Sequence, residues 1–345
     1  MMSDNFEIAG ESTSPGSHRV VRLPITVDLD GGEIALWVHV LAGAQSGPTL
    51  LLTGIQHGDE WQELELFRRV VRDTDPTKLA GNLLVIPVCS PTALGRLTRI
   101  TQVSSDGPDL NRVYPGKFNW VPEQIAKTIS REILPKADAL IDFHFGIWGS
   151  GIGFIAYGSD YPNPQVIESS RQMAVAFGHP LINRGRFVVE FPGPGSMLGY
   201  AGAQLDIPGL AGEIGVVGFG REIEDHWLAV NERGVRNVMR HMGMLEGEPE
   251  TAQQVFFFDV HHRIEPTKGG LLVPVRQPDE LGREVKKGEL LAHVLSPYTF
   301  EELERLEAPS DGILTLIART YPVQPGDWAF AVADTSAPSS EWVEL

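Results

Sequence analysis

The stretch Gly54-Ile55-Gln56-His57-Gly58-Asp59-Glu60 offers an imidazole and a carboxylate three residues apart. One imidazole nitrogen and one carboxylate oxygen make two-thirds of a catalytic zinc site, which takes three protein ligands and keeps a position open for water. Alone, the H-x-x-E pair carries little, because such pairs arise often by chance on helices. A third ligand candidate stands in Ala139-Leu140-Ile141-Asp142-Phe143-His144-Phe145-Gly146, where His144 ends an apolar run. A lone strand-end histidine is ordinarily a satisfied core or surface residue; with His57 and Glu60 upstream it reads as a ligand. Asp142 shares its strand face and is a candidate acceptor for its outer N–H, which ligating imidazoles generally donate.

The segment Asp106-Gly107-Pro108-Asp109-Leu110-Asn111-Arg112-Val113-Tyr114-Pro115-Gly116 is a loop rich in turn formers. Arg112 presents a planar fork suited to a carboxylate, and Asn111 adds an amide donor. Other candidates are weaker. His261 and His262 are neighbours in a strand-like piece and should point to opposite faces. Cys89 follows an apolar run and reads as a buried strand residue. With no G-x-S-x-G element either, a serine or cysteine hydrolase is disfavoured.

These groups need elements that bring them together. The run Thr49-Leu50-Leu51-Leu52 reads as a buried parallel strand, with His57 beyond its carboxyl end, where open α/β sheets gather ligands. Strand-like runs cover 49–53, 82–88, 139–143, 153–156 and 209–214; helical stretches cover 60–72, 122–134, 164–177 and 221–242. Their alternation predicts a layered α/β domain. Asp30-Gly31-Gly32, flanked by 20–27 and 33–41, is a hairpin signature. Residues 1–17 are polar and predict a flexible arm.

A polar linker near 246–254 divides a catalytic unit, 18–248, from a C-terminal β domain, 255–345. In the latter, Val285-Lys286-Lys287-Gly288-Glu289-Leu290-Leu291 and Val323-Gln324-Pro325-Gly326-Asp327-Trp328-Ala329 flank a turn at Pro309-Ser310-Asp311-Gly312. This pattern resembles the lipoyl/biotinyl-type barrel-sandwich module. The turn lacks that module's carrier lysine, so a structural β cap is expected.

The chain's 345 residues, 42% apolar and 21% charged, suit one large globular domain plus a small one. No apolar run is long enough to span a bilayer, and the N-terminus lacks the basic and apolar regions of a signal peptide. A single cysteine fits a reducing cytoplasm. A net charge of -17 argues against nucleic acid as a partner and makes any anion site a local basic pocket.

The combination of G-x-x-H-G-x-E, D-L-N-R-x-(F/Y)-P-G, D-x-H ending a strand and a later glutamate before glycine resembles the succinylglutamate desuccinylase/aspartoacylase family of zinc hydrolases, related to the zinc carboxypeptidases. With the β module, the resemblance covers most of residues 45–335. It implies a zinc-carboxypeptidase-like α/β/α sandwich with a mostly parallel or mixed sheet, plus a small C-terminal all-β barrel-sandwich-like domain. It implies one Zn2+ per chain on His57, Glu60 and His144. Asn111 and Arg112 match the pair that grips a substrate carboxylate. Glu213, in Gly209-Leu210-Ala211-Gly212-Glu213-Ile214-Gly215, matches the catalytic glutamate. Family members commonly place another arginine upstream of the D-L-N-R run to polarise the scissile carbonyl. Arg99 is the nearest candidate and Arg96 the alternative, with a longer spacing to Asp106 than the usual pattern.

The activity expected is zinc-dependent hydrolysis of the amide bond of an N-acyl amino acid or a related carboxylate-bearing amide. Glu213 would deprotonate water and later protonate the leaving nitrogen. Carboxypeptidase-like cleavage of short peptides and a catalytically silent binding protein are the other readings. Phe145 or Trp148, just after His144, could wall a pocket for an apolar acyl group. A small-molecule substrate, no membrane, a cytoplasmic location and a homo-oligomer complete the expectation.

Overall fold

The apolar runs become strands buried on both faces. The computed structural model describes residues 4–101, 107–117, 119–146, 149–190 and 193–345. In it Ala80–Ile86, Gln45–Thr53, Ala139–His144 and Gly209–Val216 lie side by side in that order, all parallel. Parallel strands need cover on both faces, which is why their sequences are continuously apolar. Antiparallel strands extend the sheet: Glu33–Ala42 and Ser17–Val27 on one side, joined by the expected hairpin, and Ser150–Gly158 on the other. Among the described residues the sheet has 14 strands and is mixed.

Alternate residues of each strand serve opposite faces. Leu50 and Leu52 join one core cluster, and Leu51 joins the other. Helices Glu63–Asp73, Pro164–Phe177 and Arg221–His241 cover the first face through Leu66, Phe67, Met173, Phe177, Leu228 and Val235. Helices Val121–Thr128 and Met197–Gln204 cover the second through Ile125, Ala126, Met197 and Ala201. The result is the α/β/α sandwich expected. Each fully buried Leu or Phe contributes about 1.5–3 kcal/mol. No helix among the described residues is long and apolar enough to cross a membrane.

Helix Pro164–Phe177 matches its expected span because its ends are written locally. The Asn163 side chain accepts from Gln165 N–H, Pro164 opens the helix, and Gly178 closes it in the left-handed region. Elsewhere the boundaries differ. The stretch expected from residue 60 becomes helical only at Glu63, because residues 57–63 turn through Glu60 N–H to His57 O and Glu63 N–H to Glu60 O. The stretch 122–134 is α-helical over Val121–Thr128 and then widens into a π turn, Ile129–Ile133.

Within the segment expected to be a flexible arm, residues 6–13 form a hairpin. Phe6–Ile8 pairs with Glu11–Thr13, and Ile8 and Thr13 are each 1% exposed, so burial of these side chains docks the hairpin. The C-terminal segment divides in two. Gly270–Pro274, Leu290–Leu295, Glu302–Glu307 and Tyr321–Val323 form a separate antiparallel sheet. Gly312–Ala318 instead pairs with Ser150–Gly158, and Gln254–Phe258 pairs in parallel with Leu181–Gly185. The large sheet therefore runs unbroken from one segment into the other.

Candidate active site

Strand register assembles half of the site. Thr53 pairs with Asp142, and His144 pairs with Glu213. Paired residues in neighbouring strands share a face, as do residues two apart in one strand. Thr53, Asp142, His144 and Glu213 therefore line the carboxyl end of one face, the one covered by helix Met197–Gln204. His57 and Glu60 arrive from the turn after Thr53. Gly58 makes that turn possible: its N–H donates to Thr98 O at 3.0 Å, and a Cβ there would lie 2.1 Å from the carbonyl carbon of Ala93.

Three buried side chains converge. His57 Nδ1 is 2.8 Å from Glu60 Oε1, and His144 Nδ1 is 3.0 Å from Glu60 Oε2. One ligand atom from each of the three lies within 4.8 Å of the others. Behind the imidazoles stand two more carboxylates. His57 Nε2 is 3.2 Å from Asp109 Oδ1, and His144 Nε2 is 3.3 Å from Asp142 Oδ2. Asp142 is 1% exposed, and its Oδ1 accepts from Thr53 Oγ1 at 2.7 Å and from Gln56 Nε2 at 3.3 Å. A carboxylate behind each ring fixes its orientation and aims the inner nitrogen.

Burial pulls His144 down, but the Glu60 and Asp142 carboxylates outweigh it and hold the imidazole well above its usual range. His57 is likewise raised against burial, by Glu60 and Asp109. Burial pushes Glu60 up, yet the two imidazoles hold its carboxyl well below the ordinary carboxylate range. Positive charge is thus called for where the three inner atoms face one another. Two imidazoles and a carboxylate, buried and braced from behind, fit a zinc-like cation that takes nitrogen and oxygen donors.

The loop pair divides. Asn111 is 5% exposed and its amide is engaged on both sides: Oδ1 accepts from Met197 N–H at 2.8 Å, and Nδ2 lies 3.0 Å from His144 Nε2. Arg112 donates through Nη1 to Asn111 O at 2.6 Å and keeps Nη2 3.8 Å from Asp109 Oδ2. Arg99 reaches the centre, with Nη1 3.3 Å from Glu60 Oε1, whereas Arg96 is exposed. Glu213 is half-buried beside His144, and burial raises its carboxyl above the usual value.

Several neighbours were not among the sequence candidates. Asp109 stood unremarked in the D-L-N-R loop, although an acid two residues before a candidate anchor was a usable signal. Thr53, Gln56 and Met197 carried none. Phe145 does not wall a pocket: it is 3% exposed and packs in the core over Gly215, where a Cβ would meet its ring at 2.3 Å. Trp148 and Asp106 lie outside the described residues. His261 and His262 take separate partners, Thr315 Oγ1 and Asp334 Oδ2, as opposite-facing neighbours must. Cys89 is fully buried, just past the end of Ala80–Ile86.

Comparison with known proteins places the chain in a family. Residues 46–242 match the succinylglutamate desuccinylase/aspartoacylase catalytic domain. The N-alpha-acetyl-L-2,4-diaminobutyric acid deacetylase of Halomonas elongata is 27% identical over 332 residues, 92% of this chain and 91% of the relative. A succinylglutamate desuccinylase/aspartoacylase structure from Rhodobacter sphaeroides superposes with a TM-score of 0.74 at 26% identity, covering 92% of this chain and 95% of that one. The product-bound ectoine utilization protein EutE (DoeB) from Ruegeria pomeroyi gives a TM-score of 0.78 at 25% identity, with the same two coverages. With the family's catalytic domain matched over more than half its length, the chain belongs to the succinylglutamate desuccinylase/aspartoacylase family.

Proposed function

We propose that the protein hydrolyses the amide bond of an N-acyl amino acid, with one zinc ion per chain held by His57, Glu60 and His144. The observation that carries this reading is the meeting of both Nδ1 atoms at the two oxygens of Glu60, with a carboxylate behind each ring. Zinc, when bound, supplies Lewis acidity toward a carbonyl and toward water. Glu213 then has the work of a general base. Its raised carboxyl suits taking a proton from the attacking water and returning it to the departing nitrogen. Arg99, beside Glu60, would face the negative charge that develops on the carbonyl oxygen. Arg112 would hold the substrate carboxylate, forming the local basic pocket that a chain of net charge -17 requires. Asn111, whose Oδ1 accepts from Met197 N–H and whose carbonyl accepts from Arg112, would keep that arginine in register.

The deacetylase relative makes N-acetylated diamino acids natural first substrates to try. The test is a panel of N-acyl amino acids, N-acetyl-2,4-diaminobutyrate and N-acetylaspartate among them, assayed with and without chelator beside unblocked di- and tripeptides. Turnover of blocked amino acids that chelator abolishes and zinc restores is expected. Turnover of the peptides alone, or turnover indifferent to chelator, would overturn the reading.

A further inference from the structure

Between the strand end and His57 the backbone takes an unusual path. Ile55 has φ of 49°, in the left-handed region, where a β-branched residue is an outlier. Such conformations persist where the surroundings over-determine them, and they cluster at functional sites. Here those surroundings can be named. Cys89 N–H donates to Gly54 O at 3.0 Å, and Ser90 N–H donates to Ile55 O at 2.9 Å, tying both carbonyls to the turn after Ala80–Ile86. The remaining group, Ile55 N–H, donates to Glu63 Oε2.

Glu63 is an unexpected residue to find there. It opens helix Glu63–Asp73 and is 0% exposed. Its Oε1 has no hydrogen-bond partner among the described residues. The fit is tight, because a Cβ on Gly54 would fall 2.3 Å from Oε2. Burying a carboxyl for a single backbone contact is costly. The proposed reaction makes no use of it, yet His57 follows only two residues after the backbone group it holds.

We propose that Glu63 is a positioning residue. Its carboxyl oxygen locks Ile55 in the left-handed conformation and so sets the direction in which His57 leaves the strand toward Glu60. The accepting oxygen does this work, so an amide of the same shape serves equally. The proposal rests on the metal reading of His57, Glu60 and His144.

The test is zinc affinity of the chelator-stripped full chain, measured by competition with a chromophoric chelator, with the Co2+ ligand-field spectrum as a report on geometry. Glu63→Gln should bind within about threefold of the wild type, while Glu63→Met should bind about 10–100-fold more weakly with an altered Co2+ spectrum. Glycine takes a positive φ freely, so in an Ile55→Gly background the loss caused by Glu63→Met should shrink to about threefold or less. Equal affinity of Glu63→Met and wild type overturns the proposal. So does a Glu63→Gln loss as large as that of Glu63→Met, or a loss that Ile55→Gly leaves unchanged. Should Glu63→Met not fold, Glu63→Asp, which withdraws the oxygen by one methylene, is read against Glu63→Gln. Weak binding by the aspartate alone supports the role, and equal binding by both overturns it. A wild type that takes up no metal fails the metal reading itself, a result distinct from wild-type binding with indifferent variants.

Discussion

Asp109 stands behind His57, its Oδ1 3.2 Å from the ring nitrogen that faces away from Glu60. The same carboxylate accepts Asn111 N–H at 2.9 Å, so one acid both braces His57 and shapes the loop that carries Asn111 and Arg112. The charge and hydrogen bond of His57 outweigh burial and hold the Asp109 carboxyl below the usual range. Asp142 does the matching work for His144 from two residues earlier on the same strand. Replacing either acid by its amide keeps the shape and removes the charge. Asp109→Asn and Asp142→Asn should each weaken zinc binding by about 10–100-fold, read by chelator competition. Affinity unchanged in both variants would remove these carboxylates from the metal's support.

Glu213 is the group on which proton transfer depends in this account. Its register partner is His144, and burial raises its carboxyl, as suits a group that must both accept and return a proton. Glu213→Gln should lower kcat by about 10²–10⁴-fold while leaving the zinc content of the purified protein intact. A variant with full metal and undiminished kcat would assign the proton transfer elsewhere.

His57, Glu60 and His144 could be grouped before the fold was known because each stands in a short motif at or just past the end of an apolar strand, whereas Glu213, inside Gly209–Val216, was pointed to by the family resemblance alone. Asp142 was within reach for a similar reason, since residues two apart on a strand share a face. The rest of the site is built by distant contacts that no local pattern records. Asp109 meets His57 across 52 positions, Met197 meets Asn111 across 86, and Thr53 meets Asp142 across 89. Helix Met197–Gln204, which supplies one of those contacts, has the sequence MLGYAGAQ, with two glycines and little periodicity. Phe145 misled because an aromatic after a ligand suits a pocket wall and a core equally; the glycine at 215 beneath it decides for the core.

Arg112 and Arg99 make different predictions although both are cations at one site. Arg112 has a side chain 25% exposed, while Arg99 is 39% exposed and touches Glu60. If Arg112 anchors the substrate carboxylate in the ground state, Arg112→Lys should raise KM by about 10–100-fold, the equivalent of one charged hydrogen bond worth about 1.5–3 kcal/mol. It should leave kcat nearly unchanged. Arg99→Lys should act mainly on kcat, because the charge it meets exists only in the transition state. Steady-state kinetics on a single N-acyl amino acid separates the two. The reverse pattern would exchange their roles.

Acid should destabilise the fold through two histidines that lie outside the site. Burial pushes His179 down to about 4 from 6.5, its Nδ1 accepting Leu181 N–H at 3.2 Å. Burial, with the charge of Arg263 adding to it, pushes His261 down to about 4 as well. In both the folded-state value lies below the unfolded one, so the unfolded chain binds the extra protons as pH falls. The contribution of each is fully present above pH 6.5 and is lost as pH falls from there toward 4, to a limit of about 3 kcal/mol apiece. Denaturant unfolding at a series of pH values should show stability declining through this window. His179→Gln and His261→Gln should each flatten the slope by about 1.4 kcal/mol per pH unit, the effect of one proton. Because the metal-site histidines remain in both variants, their own titration cancels from the difference. A slope that neither variant changes would mean that these imidazoles are already charged in the fold.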